Sequence, residues 1–109
     1  MTTVVHNCNP RRTSAVLGRQ VRVLYGPGQI EDTLCGLTFA LSAGSFYQVN
    51  PAQTERLYDR ALAYAELSGR PTVLDAYCGI GTIGLCAAAA GAGQVFGVEQ
   101  APAAVRDAR

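Results

Sequence analysis

Three closely spaced glycines constrain the fold of this chain more than any other feature of its sequence. Gly79, Gly81 and Gly84 form a G-x-G-x-x-G pattern directly after an apolar run at residues 72–76. That run is typical of a buried strand, the glycines of a turn that opens a helix, and residues 94–98 of a second strand. A strand, a short crossover helix and another strand predict a parallel pair in an α/β fold.

The chain changes character at Asn50. Before it, alternating apolar residues flanked by Gly, Pro and Asn predict short strands at residues 3–7, 20–25 and 37–41. Asn50 itself is a favoured N-cap residue, and Pro51 suits the first position of a helix. We therefore expect a β-rich segment followed by an α/β part.

The helix that begins at Pro51 has apolar residues at spacings of three and four, which predicts one buried stripe. Residues 68–71, Ser-Gly-Arg-Pro, combine a Gly cap with a Pro stop and are expected to end it. A further helix is expected from Ala101 onwards. The predicted stripe consists of Leu57, Tyr58, Ala61, Leu62 and Ala65.

Two carboxylates indicate which ligand the glycine turn accepts. The pattern alone is compatible with a dinucleotide site, where pyrophosphate binds at the helix N-terminus. Asp75, however, ends the first strand and faces the same crevice, where repulsion of a phosphate would cost on the order of 1–4 kcal/mol. S-adenosylmethionine has no phosphate and carries two positive groups, so it suits this acid better. Glu99, at the end of the second strand, can accept both hydroxyls of a ribose.

The composition narrows the classes of protein. With 49% apolar and 16% charged residues the chain is expected to fold, and a net charge of +1 gives no global field for nucleic acid. The N-terminus does not resemble a signal peptide, and the apolar stretch at residues 85–92 is too short to span a membrane, so we expect a cytoplasmic location. Cys8, Cys35, Cys78 and Cys86 form no C-x-x-C pair, and no metal site is expected.

Three segments together carry a family resemblance. Residues 46–55 (Phe-Tyr-Gln-Val-Asn-Pro-Ala-Gln-Thr-Glu), residues 75–82 (Asp-Ala-Tyr-Cys-Gly-Ile-Gly-Thr) and residues 97–99 (Gly-Val-Glu) resemble the RNA (uracil-5-)-methyltransferases. The resemblance covers nearly the whole chain. Ile80 and Thr82 stand where the tRNA branch of that family tends to have Asn, which favours the bacterial 23S ribosomal RNA branch.

The resemblance implies that Gln48, Tyr77 and Glu99 contact S-adenosylmethionine. Gln48 would bond the methionine end of the cofactor, and Tyr77 would pack against it. Each residue also has an alternative interpretation without a ligand. Gln48 would be a polar loop residue, Tyr77 a core aromatic, and Glu99 a solvated acid beside the next helix. In the same resemblance, the pocket is shaped by Asp75, Gly79 and Gly81, and Thr82 matches a position that lines the cofactor.

The implied fold is a Rossmann-like class I S-adenosylmethionine-dependent methyltransferase fold, incomplete in this chain. Residues 1–49 would be a β-rich segment leading into the catalytic domain, and residues 50–109 the N-terminal part of the truncated cofactor domain. The family methylates uridine C5 through a cysteine nucleophile in an Asp-Pro-Pro-Arg-like segment and a later glutamate base. Neither segment is in this sequence, and Cys78 does not match the nucleophile, so we expect no turnover by the chain alone.

Two other interpretations stay open at the level of sequence. The glycine pattern is also found in oxidoreductase domains that bind NAD(P) or FAD. A non-catalytic remnant of a longer gene would carry the same motifs without an activity. The expected RNA substrate, 23S ribosomal RNA, depends on the family resemblance and applies only if the protein is a methyltransferase.

Overall fold

The computed structural model describes residues 1–12 and 14–109. Its six strands and three helices are arranged as four strands in the first half, followed by a second half in which helices and strands alternate, as the sequence predicts. The elements, in chain order, are β1 (Val4–Cys8), β2 (Gln20–Tyr25), β3 (Gln29–Leu34), β4 (Leu37–Ser42), α1 (Pro51–Ala65), β5 (Thr72–Ala76), α2 (Thr82–Ala89), β6 (Gln94–Val98) and α3 (Pro102–Asp107).

The strands form three separate pairs. β1 and β2 are antiparallel, β3 and β4 are antiparallel, and β5 and β6 are parallel, with Leu74 opposite Phe96 at the centre of the parallel pair. The predicted parallel pair is therefore confirmed, with both strand boundaries as expected. α2 connects its strands and packs on one face of the pair.

Strand β3 was not predicted from the sequence. Its two acidic residues, Glu31 and Asp32, break the apolar alternation that identifies a half-buried strand. The hairpin is made by Cys35 and Gly36, which both have positive φ angles of 52° and 74°. Two consecutive residues with positive φ are typical of the tight turns that match the twist of antiparallel strands.

The main hydrophobic core lies between the β3–β4 hairpin and the helices. It contains Leu34, which is 1% exposed, together with the aromatic side chains of Phe39 and Tyr58. Ile80, from the glycine turn, and Ala104, from α3, complete it on the other side. The β-rich segment and the βαβ unit therefore share one core.

The predicted stripe of α1 is only partly buried. Tyr58 is buried and Leu62 packs against the core, but Leu57 is 60% exposed and Ala65 is also exposed. The predicted helix end was wrong as well, since the helix stops at Ala65 and the residue that follows it, Glu66, is left-handed with a φ of 46°. The Ser-Gly-Arg-Pro run lies in the connection that leads to β5.

One face of the parallel pair is open to solvent. Leu74 and Phe96 are cross-strand partners, and they are 67% and 56% exposed, with Val98 beside them at 58%. The other face carries Val73 and Val95 towards α2. Because parallel strands are ordinarily covered on both faces, this is an unusual apolar surface for such a unit.

Within residues 1–12 and 14–109, no helix combines the length and the apolar character that crossing a membrane requires.

We predict that Leu34→Ala lowers the free energy of unfolding by about 2–5 kcal/mol, because it removes a fully buried side chain from the shared core. The matched control is Leu57→Ala, which removes the same atoms from an exposed position and should cost less than about 1 kcal/mol. Urea unfolding followed by circular dichroism measures both. Equal losses in the two variants would contradict the assigned core.

Candidate cofactor site

The turn between β5 and α2 has an unusual backbone. Tyr77, Gly79 and Gly81 have positive φ angles of 63°, 58° and 82°. Glycine adopts this region readily, whereas a tyrosine there costs on the order of 1–3 kcal/mol, a kind of strain that concentrates at functional sites. Two backbone hydrogen bonds hold the turn, from the Cys78 amide to the Val98 carbonyl at 3.0 Å and from the Gly81 amide to the Cys78 carbonyl at 2.8 Å.

A buried side chain anchors the same turn to the core. Ile80 lies between the two left-handed glycines and is only 3% exposed. The burial of Ile80 therefore fixes the turn, and the N–H groups of its neighbours Gly79 and Gly81 donate to Glu99 and to the Cys78 carbonyl. The hydroxyls of Thr82 and Tyr58, 2.7 Å apart, tie the start of α2 to α1.

Asp75 serves as the cap of α2 from the neighbouring strand. The N-cap residue, Gly81, has no side chain to offer, and the Gly84 amide instead donates to Asp75 Oδ2 at 3.0 Å. A Cβ on Gly84 would lie 2.9 Å from that oxygen, so the third glycine permits the approach. Burial raises the pKa of Asp75, and the Gly84 hydrogen bond opposes that shift.

The position of Asp75 bears on the class of ligand. In dinucleotide sites the first amides of the helix bind a phosphate. Here one of those amides, that of Gly84, is already bound to a carboxylate, and a phosphate beside it would meet a like charge. The geometry thus favours a ligand whose nearest part is neutral or cationic.

Glu99 joins the glycine turn to the start of α3. Its Oε2 accepts the Gly79 amide at 3.0 Å, and its Oε1 accepts the Ala101 amide at 2.7 Å. These hydrogen bonds, from Ala101 and then Gly79, hold the pKa of Glu99 below its ordinary value. Each carboxylate oxygen retains a further lone pair, so an ionised Glu99 can still accept ligand hydroxyls.

A cavity of about 520 Å³ runs from the carboxyl ends of β5 and β6 down between α2 and α3. Asp75 and Glu99 are its acidic lining residues, and Val95, Val98 and Val105 are among its apolar ones. This volume falls in the range of roughly 300–1,000 Å³ that is usual for small-molecule sites.

Only one of the three predicted cofactor contacts lines this cavity. Glu99 does, whereas Gln48 is half-buried in the loop before α1 and Tyr77 is an exposed residue of the turn after β5. Tyr77 is 90% exposed, so its alternative interpretation as a core aromatic was wrong. Asn50 is the helix cap as predicted, since its Oδ1 accepts the Gln53 amide at 3.3 Å.

Cys78 has the properties of a protonated thiol. Burial raises its pKa, and the charges of Asp75 and Glu99 raise it further. A thiol is a poor nucleophile and a poor metal ligand compared with a thiolate. Among the residues that the structure describes, no group of three or more His, Cys, Asp or Glu side chains is placed to hold a metal ion.

Sequence reasoning missed a second cluster near the site. Asp107, in the last turn of α3, accepts hydrogen bonds from Ser42, the last residue of β4, and from Ser45 in the loop that follows it. The residues are more than sixty positions apart in sequence, and no local motif joins a serine turn to a distant aspartate.

Comparison with known proteins gives a consistent set of relatives. The chain is 52% identical over all its 109 residues to an uncharacterized RNA methyltransferase of Listeria monocytogenes (strain F2365), and 53% identical over 109 residues to one of Lactiplantibacillus plantarum. It spans 24% of the length of each of these proteins. No protein-family model matches the chain.

A solved structure shares the fold. The tRNA (uracil-54, C5)-methyltransferase of Pyrococcus abyssi, in complex with S-adenosyl-L-homocysteine, superimposes with a TM-score of 0.76 at 25% identity. The match covers 98% of this chain and 26% of that one. These comparisons confirm the predicted resemblance to RNA methyltransferases.

We predict that the Glu99 carboxyl titrates below its ordinary pKa, because two backbone amides stabilise the ionised form. The contribution of Glu99 to the free energy of unfolding is then complete when the pH lies above the ordinary pKa of a glutamate. It is lost as the pH falls through the lowered pKa of the folded state. NMR of the side-chain carboxyl carbon gives the midpoint, and the amide signals of Gly79 and Ala101 should follow it.

The variant Glu99→Gln provides the control for this titration. A glutamine oxygen can replace one acceptor but the amide nitrogen cannot replace the other. The acid-induced decrease in melting temperature should be smaller in this variant than in the wild type. An unchanged pH dependence would mean that the two hydrogen bonds do not form in solution.

Proposed function

This chain is homologous over its full length to a segment of the bacterial RNA methyltransferases, and we propose that the protein containing it transfers a methyl group from S-adenosylmethionine to C5 of a uridine in RNA. The observation that carries the proposal is the pair of carboxylates, Asp75 and Glu99, at the carboxyl ends of two parallel strands beside a glycine turn. The homologues' names and the structural neighbour's bound S-adenosylhomocysteine support the same conclusion.

The fit of the cofactor rests on the chemistry of the two acids. Glu99 is ionised at neutral pH and sits at the strand end where ribose hydroxyls are bound in nucleoside sites. Asp75 accepts a hydrogen bond from an amide at the N-terminus of α2, so a cofactor without phosphate groups is preferred there. S-adenosylmethionine meets both requirements, and when bound it supplies an electrophilic methyl group.

We assign the remaining contacts to Gln48 and Tyr77. Gln48 follows Tyr47, which packs against the core, so the loop that carries it is held close to the hairpin and α1. Tyr77 has a strained backbone and a solvent-exposed ring at the top of β5, where it can cover a bound nucleoside. In this proposal Gln48 hydrogen-bonds the methionine end of the cofactor and Tyr77 packs against it.

The described elements are, in our proposal, part of a Rossmann-like class I methyltransferase domain. Residues 50–109 would form its N-terminal portion, and residues 1–49 the β-rich segment that leads into it. The open face of β5 and β6 and the coverage of about a quarter of the relatives are consistent with this division. The cysteine nucleophile and the glutamate base are then supplied from outside this chain.

We further propose 23S ribosomal RNA as the substrate. Support comes from Ile80 and Thr82, which differ from the Asn residues expected in the tRNA branch. Ile80 is a core residue here and Thr82 bonds Tyr58, so both positions are also constrained by packing. The net charge of +1 on this segment implies that most of the grip on RNA comes from other parts of the protein.

We predict that the complete gene product binds S-adenosylhomocysteine and that Glu99→Gln weakens this binding by about tenfold or more, since a bidentate carboxylate is replaced by a neutral amide. Isothermal titration calorimetry measures the dissociation constants. The matched control is Glu31→Gln, at an exposed position of β3, which should bind like the wild type.

The competing oxidoreductase function gives the opposite result in the same experiment. NAD would bind more tightly than S-adenosylhomocysteine, and Asp75→Asn would strengthen that binding by removing the like charge near the phosphates. Either observation would contradict the proposed cofactor.

We predict that the complete gene product converts uridine to 5-methyluridine in 23S ribosomal RNA and not in tRNA, while the isolated 109-residue chain forms none. The chain alone lacks the run that carries the family's nucleophile. Mass spectrometry of nucleosides after incubation with each RNA and labelled cofactor gives the answer. If 5-methyluridine formed only in tRNA, the choice of 23S ribosomal RNA would be refuted. If the isolated chain formed 5-methyluridine, the proposal that the catalytic residues lie outside this chain would be refuted.

A further inference from the structure

The carboxylate of Asp107 binds a loop that is distant in sequence. Its Oδ2 accepts the Ser42 amide at 3.1 Å, the Ser42 hydroxyl at 2.6 Å and the Ser45 hydroxyl at 2.5 Å. Burial would raise the pKa of Asp107, but the hydrogen bonds from Ser42 and Ser45 outweigh it and hold the pKa below its ordinary value. The acceptor is therefore ionised at neutral pH, and hydrogen bonds to an ionised acceptor are stronger than neutral ones.

The same loop is anchored in its middle and at its far end. Tyr47 packs against the core with its ring centroid 6.4 Å from that of Phe39. Asn50 closes the loop by capping α1. Gln48 lies between these two anchors, and the Asp107 hydrogen bonds fix the beginning of the loop.

Both ends of the loop are connected to the glycine turn. The N-cap residue of α3, which carries Asp107, is Ala101, and the Ala101 amide donates to Glu99. α1 is bound to the start of α2 through Tyr58 and Thr82. The position of Gln48 relative to Glu99 is thus set through two independent sets of hydrogen bonds.

We propose that Asp107, together with Ser42 and Ser45, is a positioning group that holds the loop of residues 43–49, and Gln48 within it, in place relative to Glu99 and the cofactor site. This inference rests on the proposed function for the identity of the ligand. The group acts through Gln48 and does not touch the cofactor itself. Through the short helix α3, Asp107 connects Glu99, after the end of β6, to the loop after β4.

The test uses the complete gene product and the variants Asp107→Asn and Ser42→Ala/Ser45→Ala. Asp107→Asn keeps the shape of the side chain and removes the charge of the acceptor. The matched control is Asp59→Asn, which makes the same change on the exposed face of α1. Hydrogen exchange of backbone amides is measured with no ligand present, and binding of S-adenosylhomocysteine is measured by calorimetry.

Asp107→Asn should accelerate amide exchange at residues 42–49 by about tenfold and leave the amides of β5 and β6 unchanged, because three charge-assisted hydrogen bonds become weaker. Affinity for S-adenosylhomocysteine should fall by about tenfold. In the methylation assay the KM for S-adenosylmethionine should rise while kcat stays near the wild-type value. Combining Asp107→Asn with the serine substitutions should add little further loss, since they remove the same interaction.

Several results would overturn the inference. Faster exchange spread evenly over β5, β6 and the loop would show that Asp107 contributes to general stability and not to positioning. Unchanged exchange at residues 42–49 would show that the hydrogen bonds do not order the loop. Affinity equal to that of Asp59→Asn would show that the order of the loop does not affect the cofactor site. If the wild type binds no S-adenosylhomocysteine, the proposed function fails, and the exchange experiment still decides whether Asp107 holds the loop.

Discussion

The two hydrogen bonds that Glu99 accepts hold the candidate site in one arrangement. They connect the amide of Gly79, in a left-handed turn, to that of Ala101 at the start of α3. Ile80 fixes the same turn from below by entering the core shared with the β3–β4 hairpin. Because the turn is attached both to the core and to the next helix, its backbone can remain in a conformation that is unfavourable for Tyr77.

Asp75 shows how one residue can both build a fold and select a ligand. The carboxylate completes the N-terminus of α2, which Gly81 cannot cap, and in doing so takes up an amide that a diphosphate would require. The third glycine of the pattern has a packing role here, since a Cβ on Gly84 would lie 2.9 Å from Asp75 Oδ2 and 3.2 Å from a methyl carbon of Val95. A glycine pattern can thus look like a dinucleotide motif while the adjacent acid makes the site unsuitable for one.

Local patterns in the sequence predicted the βαβ unit well and the first half of the chain less well. Strands β5 and β6 were predicted within their observed boundaries because mainly apolar runs and nearby glycine turns define them. β3 was missed because Glu31 and Asp32 hide its period, and the stripe of α1 was overestimated because exposure of Leu57 depends on what packs against the helix. The hydrogen bonds of Asp107 join residues 62 and 65 positions apart, and such contacts have no signature in a single sequence.

The open side of the β5–β6 pair governs how this polypeptide behaves when handled by itself. Leu74, Phe96 and Val98 form a water-facing hydrocarbon strip on a two-stranded ribbon that has no charged side chain on that face to repel a second molecule. Such a strip favours association between copies of the polypeptide at high concentration, because association removes apolar surface from water.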